Sequence, residues 1–118
     1  MNKREVGSRK EDMAARFLTE CGLKVKELNF RNRIGEIDIV AYDGAILVFV
    51  EVKYRKTASS GHPEEAVGIK KMQTISKVAD YYRVYRKVPA DTQIRFDVIA
   101  IEGESLRWYK NAFGYYGL

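Results

Sequence analysis

The sequence has one cysteine, one histidine and two prolines in 118 residues, and these scarcities exclude several classes of protein. Cys21 has no second cysteine for an internal disulfide, and Cys21 with His62 cannot supply the ligands of a structural zinc site. The longest apolar run, AILVFV, is far too short to span a bilayer, and the N-terminus has no apolar signal-peptide core. We therefore expect a cytoplasmic protein with no membrane partner, in which Cys21 is a small core residue.

Positive charge, by contrast, is in excess. Lys and Arg outnumber Asp and Glu by 21 to 16, which gives a net charge of +5. Because basic side chains that neutralise phosphates supply most non-specific affinity for nucleic acids, this composition favours such a partner without requiring one. The length and a hydrophobic fraction of 46% fit a single globular domain over residues 1–118.

Hydrophobic periodicity predicts the order helix, three strands, helix, two strands. Ser8 and Glu11 have the spacing of a capping box at the start of the first helix, which Gly22 can end, and Pro63 opens a second helix that runs to about Arg86. The strands are expected at 24–30, on both sides of a turn within 35–53, at 94–101 and around 106–110. This order predicts an α/β fold, with a mixed β-sheet of about five strands flanked by helices.

The stretch GEIDIVAYDGAILVFVEVK, residues 35–53, has the pattern of a hairpin with Asp43-Gly44 as its two turn residues. In that register Glu36 faces Glu51, and Asp38 lies diagonal to Glu51. Because side chains alternate along a strand, Asp38, Glu51 and Lys53 then project to one face. The opposite face is wholly apolar and consists of Ile37, Ile39, Ile46, Val48, Val50 and Val52.

The acids at the open end of this hairpin need a compensating charge. Two carboxylates about 4 Å apart repel by about 4 kcal/mol at an effective dielectric near 20. Mg²⁺ is usually held by one or two carboxylates, waters and phosphate oxygens, and a nearby lysine such as Lys53 can steady the same oxygens. The pattern therefore favours a Mg²⁺ (or Mn²⁺) site for phosphodiester chemistry. The alternative is a solvated strand end on which Glu51 and Lys53 merely pair.

At these residues the sequence resembles the signature of the PD-(D/E)XK nucleases, with Asp38 followed by Glu51-Val52-Lys53 on the next strand. Ile37 stands where that signature has its proline. More closely, GEIDIVAYDGAILVFVEVKYR, RFDVIAI and LRWYKNAF resemble the YraN-like (UPF0102-type) family of small bacterial proteins. That family is similar in fold to archaeal Holliday-junction resolvases, and the resemblance runs over nearly the whole chain.

The resemblance implies a restriction-endonuclease-like core and a Mg²⁺-dependent DNA endonuclease, whose substrate could be a branched or otherwise structured DNA. It implies Asp38 and Glu51 as catalytic metal ligands, Lys53 as the catalytic lysine, and Glu11 as a further acid from the first helix. Because the resembled resolvases are dimers, a homodimer is a candidate assembly. The alternative function is a non-catalytic nucleic-acid-binding module with the same fold.

Further residues are candidates for supporting roles. Glu36, facing Glu51 in the expected register, could support the ligands or bind the metal itself. Arg55 follows Lys53 closely, Lys70 matches a lysine of the family pattern, and Arg95 could contact a phosphate, so these three are candidate nucleic-acid-binding residues. The alternative role for Arg95 is an ion pair with Asp97 on the same strand face. The alternative role for Glu11 is the capping box with Ser8.

Overall fold

A computed structural model describes residues 3–55 and 67–116, with side chains described from residue 9 onward. Its elements are α1 (Lys3–Glu20), β1 (Lys24–Arg31), β2 (Glu36–Asp43), β3 (Ile46–Arg55), α2 (Ile69–Tyr85), β4 (Ile94–Glu102) and β5 (Ser105–Phe113). Within the described residues the strands form one five-stranded sheet in the order β1-β2-β3-β4-β5. The pair β3–β4 is parallel and the other neighbours are antiparallel. This confirms the expected α/β fold with a mixed sheet and a helical crossover.

The two helices cover opposite faces of the sheet, and each face has its own apolar core. The α1-side core consists of Ala14, Leu18, Leu23, Ile39, Ala41, Val48, Val50, Ile99 and Ile101. The α2-side core includes Phe30, Ile37, Val40, Leu47, Phe49, Ile75, Val78, Ala79, Tyr82, Phe96 and Val98. Neither helix in the described part of the chain combines the length and apolar character needed to cross a membrane.

Three expectations about α1 and α2 are wrong. Because α1 already begins at Lys3, Ser8 lies inside the helix and is not its N-cap. The first helical residue of α2 is Ile69, with Gly68 as N-cap, so Val67 is not helical; the expected start at Pro63 lies outside the described residues. Cys21 is exposed, since it follows the last residue of α1 in the turn before Leu23.

The hairpin turn lies one residue further along than expected. Asp43 pairs with Ile46, so the turn residues are Gly44 and Ala45, and Gly44 has the left-handed φ of 60° that favours glycine. Continuing this register places Asp38, instead of Glu36, across from Glu51. The printed pairing ends at Ile39 and Val50, and the two side chains have neighbours from different helices: Asp38 lies near Glu11 of α1, whereas Glu51 pairs with Lys71 of α2.

Strict alternation fails once in β2. Ile37 belongs to the α2-side core, whereas Ile39 belongs to the α1-side core, so the expectation that both fill one face is wrong. On β1, Asn29 lies between the residues that pair with Ile37 and Ile39 and has a φ of 54°. A single left-handed residue turns the strand and changes which face its neighbours occupy. The irregularity lies beside Asp38.

Candidate active site

Asp38 lies where β2 separates from β3. The last backbone pair between the two strands joins Ile39 to Val50. Beyond that pair the N–H of Val52 donates to Asp38 Oδ2 at 2.7 Å, so the side chain of Asp38 takes the place of a backbone acceptor. Val52 is the residue between Glu51 and Lys53, and this hydrogen bond therefore fixes Asp38 beside both of them.

Glu11 and Glu36 lie close to Asp38, and the three acids are called the acidic group below. Carboxylate oxygens of Glu11, Glu36 and Asp38 lie within 4.8 Å of one another. Glu11 comes from α1, and its carboxyl lies close to the side chains of Asn29 and Asp38. Glu36 opens β2 and also pairs with Arg31 at 3.3 Å. The structure thus brings Glu11 and Glu36 to Asp38, which leaves the N-cap alternative for Glu11 without support.

The electrostatics of this group disfavour negative charge. Burial, followed by the charge of Glu51, raises the pKa of Asp38 to about 8, against the lowering effect of the Val52 hydrogen bond. Burial also raises the pKa of Glu11, and the charge of Glu36 adds to that effect. At neutral pH, without a cation, the Asp38 carboxyl therefore holds its proton.

Glu51 is the most buried acid of the site, with 6% of its surface exposed. Its Oε1 lies 3.4 Å from Lys53 Nζ and 3.7 Å from Lys71 Nζ. Its Oε2 is buried and has no hydrogen-bond partner within the described residues. A buried carboxylate oxygen without a partner costs free energy, because it has lost its hydration without gaining a hydrogen bond.

Sequence reasoning missed two residues of this arrangement. Lys71, on α2, reaches Glu51 across the α2 side of the sheet, but in the sequence it is one basic residue of a helix with several. The side chain of Asn29, inside β1, lies close to the carboxyl of Glu11. An asparagine inside a strand run was the available signal, because Asn is depleted in strands and tolerates left-handed backbone.

The predicted nucleic-acid-binding residues lie in different places. Arg55 ends β3, close after Lys53, and Lys70 is exposed in the first turn of α2. Arg95 lies nearer the turn end of the sheet, where it donates two hydrogen bonds to Asp97 at 2.8 and 2.9 Å and one to Asp43 at 3.0 Å. The geometry matches the ion-pair alternative for Arg95.

Comparison with known proteins places the chain in a family. The sequence model described as "Uncharacterised protein family UPF0102" matches residues 10–101. The chain belongs to the UPF0102 family. A UPF0102 protein of Lachnoclostridium phytofermentans is 47% identical over 99% of both chains. UPF0102 proteins of Fusobacterium nucleatum and Caldicellulosiruptor saccharolyticus are 42% and 39% identical, over 94% and 96% of this chain and 92% and 100% of theirs.

The UPF0102 match covers the whole candidate site, because Glu11, Asp38, Glu51, Lys53 and Lys71 all lie within residues 10–101. The relatives extend the UPF0102 similarity over nearly the full length of the chain, β5 included. Family membership confirms the resemblance drawn from the sequence, and the chemistry must be argued from the site.

Proposed function

We propose that this UPF0102 protein is a Mg²⁺- (or Mn²⁺-) dependent DNA endonuclease that hydrolyses phosphodiester bonds at the Asp38–Glu51–Lys53 site. The observation that carries the proposal is the pair of acids on facing strands. Glu51 has a buried oxygen without a partner in the described part of the chain, and its charge helps to raise the pKa of neighbouring Asp38 to about 8. A buried acid and a partly buried acid on facing strands repel each other when both are ionised, and a divalent cation between them would stabilise both charges.

The residues present fit such a cation. Carboxylate oxygens are the ligands that Mg²⁺ prefers, and Asp38 and Glu51 would hold the ion, with Glu11 and Glu36 adjacent to Asp38. When bound, the ion would lower the pKa of a water ligand and reduce the negative charge on the phosphate. A solvated strand end does not account for an acid as buried as Glu51.

The chain's own cations have separate roles in this proposal. Lys53 is partly exposed and lies 3.4 Å from Glu51 Oε1, so its remaining N–H donors can bind phosphate oxygens or orient a water at the mouth of the site. Lys71 approaches the same oxygen at 3.7 Å from the α2 side and limits the motion of the Glu51 carboxylate. Glu11 lies next to Asp38 and limits the positions that the Asp38 carboxyl can take.

DNA is the proposed substrate because the chain carries a net charge of +5 and because Arg55 and Lys70 lie on the elements that bear Lys53 and Lys71. The proposal that the substrate is branched or otherwise structured DNA rests on the resemblance to resolvases. A homodimer would present two sites to the two strands of such a substrate.

A cleavage panel tests the proposal. Purified protein is incubated with linear duplex, single-stranded and branched DNA in Mg²⁺, Mn²⁺ or EDTA, beside a Lys53→Ala variant. We expect metal-dependent cleavage that Lys53→Ala loses by at least about 100-fold, the lower range for a positioned catalytic group. Equal cleavage by wild type and variant would identify a contaminating nuclease. Salt-sensitive binding without cleavage would favour the non-catalytic binding module instead.

A further inference from the structure

A cavity of about 340 Å³ lies beside the candidate active site, between the β1–β2 loop and α2. Its lining consists of Asn32, Arg33, Ile34 and Tyr81. This size is at the lower end of the range for small-molecule pockets. The lining combines an apolar side chain, an aromatic ring, an amide and a guanidinium, which is the set of groups that contacts a nucleobase and its phosphate.

The loop wall of the cavity is preformed. Asn32 Oδ1 accepts hydrogen bonds from the N–H groups of Ile34 at 2.8 Å and Gly35 at 3.2 Å, and the N–H of Asn32 donates to the carbonyl of Gly35 at 3.0 Å. Gly35 packs so closely on α2 that a Cβ atom there would lie 2.6 Å from Thr74 Cγ2. The loop therefore holds Ile34 and Arg33 in place without a ligand.

The helix wall is the open end of an aromatic stack. The rings of Tyr81 and Tyr85 are stacked, with 5.7 Å between their centroids and 19° between their planes. The guanidinium of Arg86 lies 4.8 Å from the centroid of the Tyr85 ring. The ring of Phe30, on the sheet, has its centroid 6.2 Å from that of Tyr81 and 6.3 Å from that of Tyr85. Tyr81 is nevertheless 47% exposed and Ile34 is 49% exposed, so apolar and aromatic surface faces solvent at the cavity.

The cavity lies close to the acidic group along the chain. Ile34 stands two residues before Glu36 and four before Asp38. At about 3.3 Å per residue, the loop is within about 13 Å of the acids, a distance that a few nucleotides of one strand can span. Arg33 is exposed and has no ion-pair partner among residues 9–55 and 67–116, so its charge is available to a phosphate.

We propose that this cavity is a nucleobase subsite, which stacks an unpaired base of the DNA strand on Tyr81 while Arg33 contacts the adjoining phosphate. The inference rests on the proposed function, since it takes DNA as the ligand, and it narrows the substrate to DNA with at least one unpaired nucleotide near the scissile phosphate. Ile34 contacts the base from the loop side, and the Asn32 amide N–H groups reach its polar edge.

The test is a binding experiment in which the DNA and the protein are both varied. Fluorescence anisotropy measures the affinity of the Lys53→Ala protein for a labelled single strand and for a series of strands that each lack one base. We expect one abasic position to weaken binding about tenfold. Adding Tyr81→Ala should weaken binding to the intact strand by a similar factor and remove the abasic effect, whereas Tyr81→Phe should preserve both.

The matched control is Val84→Ala, since Val84 is on the same helix and 80% exposed but does not line this cavity. The inference is overturned if no abasic position weakens binding, or if Tyr81→Ala weakens intact and abasic strands equally. Cleavage is not the readout, so the two proposals fail separately. If the wild-type protein cleaves DNA but no abasic position weakens binding, only the subsite proposal fails. If an abasic position weakens binding but the wild-type protein does not cleave, only the nuclease proposal fails.

Discussion

The backbone N–H of Val52 donates a hydrogen bond to the carboxylate of Asp38 at 2.7 Å. This contact joins the acid of β2 to the strand that carries Glu51 and Lys53 at the point where the β2–β3 backbone pairs have ended. It also holds Asp38 close enough for the charge of Glu51 to raise its pKa. The site therefore lies where the two strands separate, and the properties predicted for it follow from neighbouring acids that are partly or fully buried.

Lys71 is expected to stabilise the fold through Glu51. Lys71→Ala removes the cation 3.7 Å from Glu51 Oε1 and leaves Lys53 alone to compensate a buried carboxylate. We expect the free energy of unfolding to fall by about 1 kcal/mol, because Lys71 is partly solvated. Urea denaturation measures this change. Lys70→Ala is the matched control, and an equal change in stability in both variants would show that the pair with Glu51 is not the cause.

Stability without metal is expected to depend on pH through Asp38. The folded protein holds the Asp38 proton up to a pKa of about 8, whereas the unfolded chain releases it near the ordinary value of 3.8. The contribution of this group is therefore full below about pH 4 and is lost as the pH rises through about 8. Urea denaturation in EDTA at pH 5.5 and 8.5 should show a loss of at least about 2 kcal/mol that Asp38→Asn lacks. Parallel profiles for the two proteins would refute the assignment.

Asp97 is expected to be a structural residue. It is fully buried and accepts hydrogen bonds from Arg95 Nε and Nη2, Trp108 Nε1 and the Asn111 N–H. Asp97→Ala leaves these donors without their acceptor and should destabilise the protein by about 3 kcal/mol or more. Trp108 fluorescence can follow the unfolding. Under native conditions Mn²⁺ affinity should be unchanged, and its loss from a folded variant would place Asp97 in the metal site instead.

Gly35→Ala is expected to destabilise the loop that leads into β2. The added Cβ would lie 2.6 Å from Thr74 Cγ2 and 3.5 Å from Val78 Cγ2, so we expect a loss of about 1–3 kcal/mol. Thr74→Ser removes the nearer methyl and keeps the hydroxyl that donates to the carbonyl of Lys70. A double-mutant cycle of these substitutions should recover most of the loss. Additive effects would mean that the clash is not the cause.

The sequence predicts the sheet, and it predicts that Asp38 lies near the strand segment that carries Glu51 and Lys53. The turn lies at Gly44-Ala45 and not at Asp43-Gly44, and this change of register moves Asp38 from a position diagonal to Glu51 to one across from it. The sequence does not predict the face of Ile37, which lies in the α2-side core although Ile39 lies in the α1-side core. Nor can it predict Lys71, because the helical crossover that brings it to Glu51 is set by packing between distant residues.

The central claim is that Asp38 and Glu51 form one cation site, and calorimetric titration with Mn²⁺ tests it without any need for cleavage. Wild type, Asp38→Asn and the control Asp12→Asn are titrated at pH 8.5, where the Asp38 carboxyl is more ionised. Asp12 is exposed on α1 and outside the acidic group, so its loss controls for overall charge. We predict saturable binding by wild type and Asp12→Asn, and affinity at least about tenfold weaker in Asp38→Asn. Equal affinity in all three proteins, or none in wild type, would contradict the account.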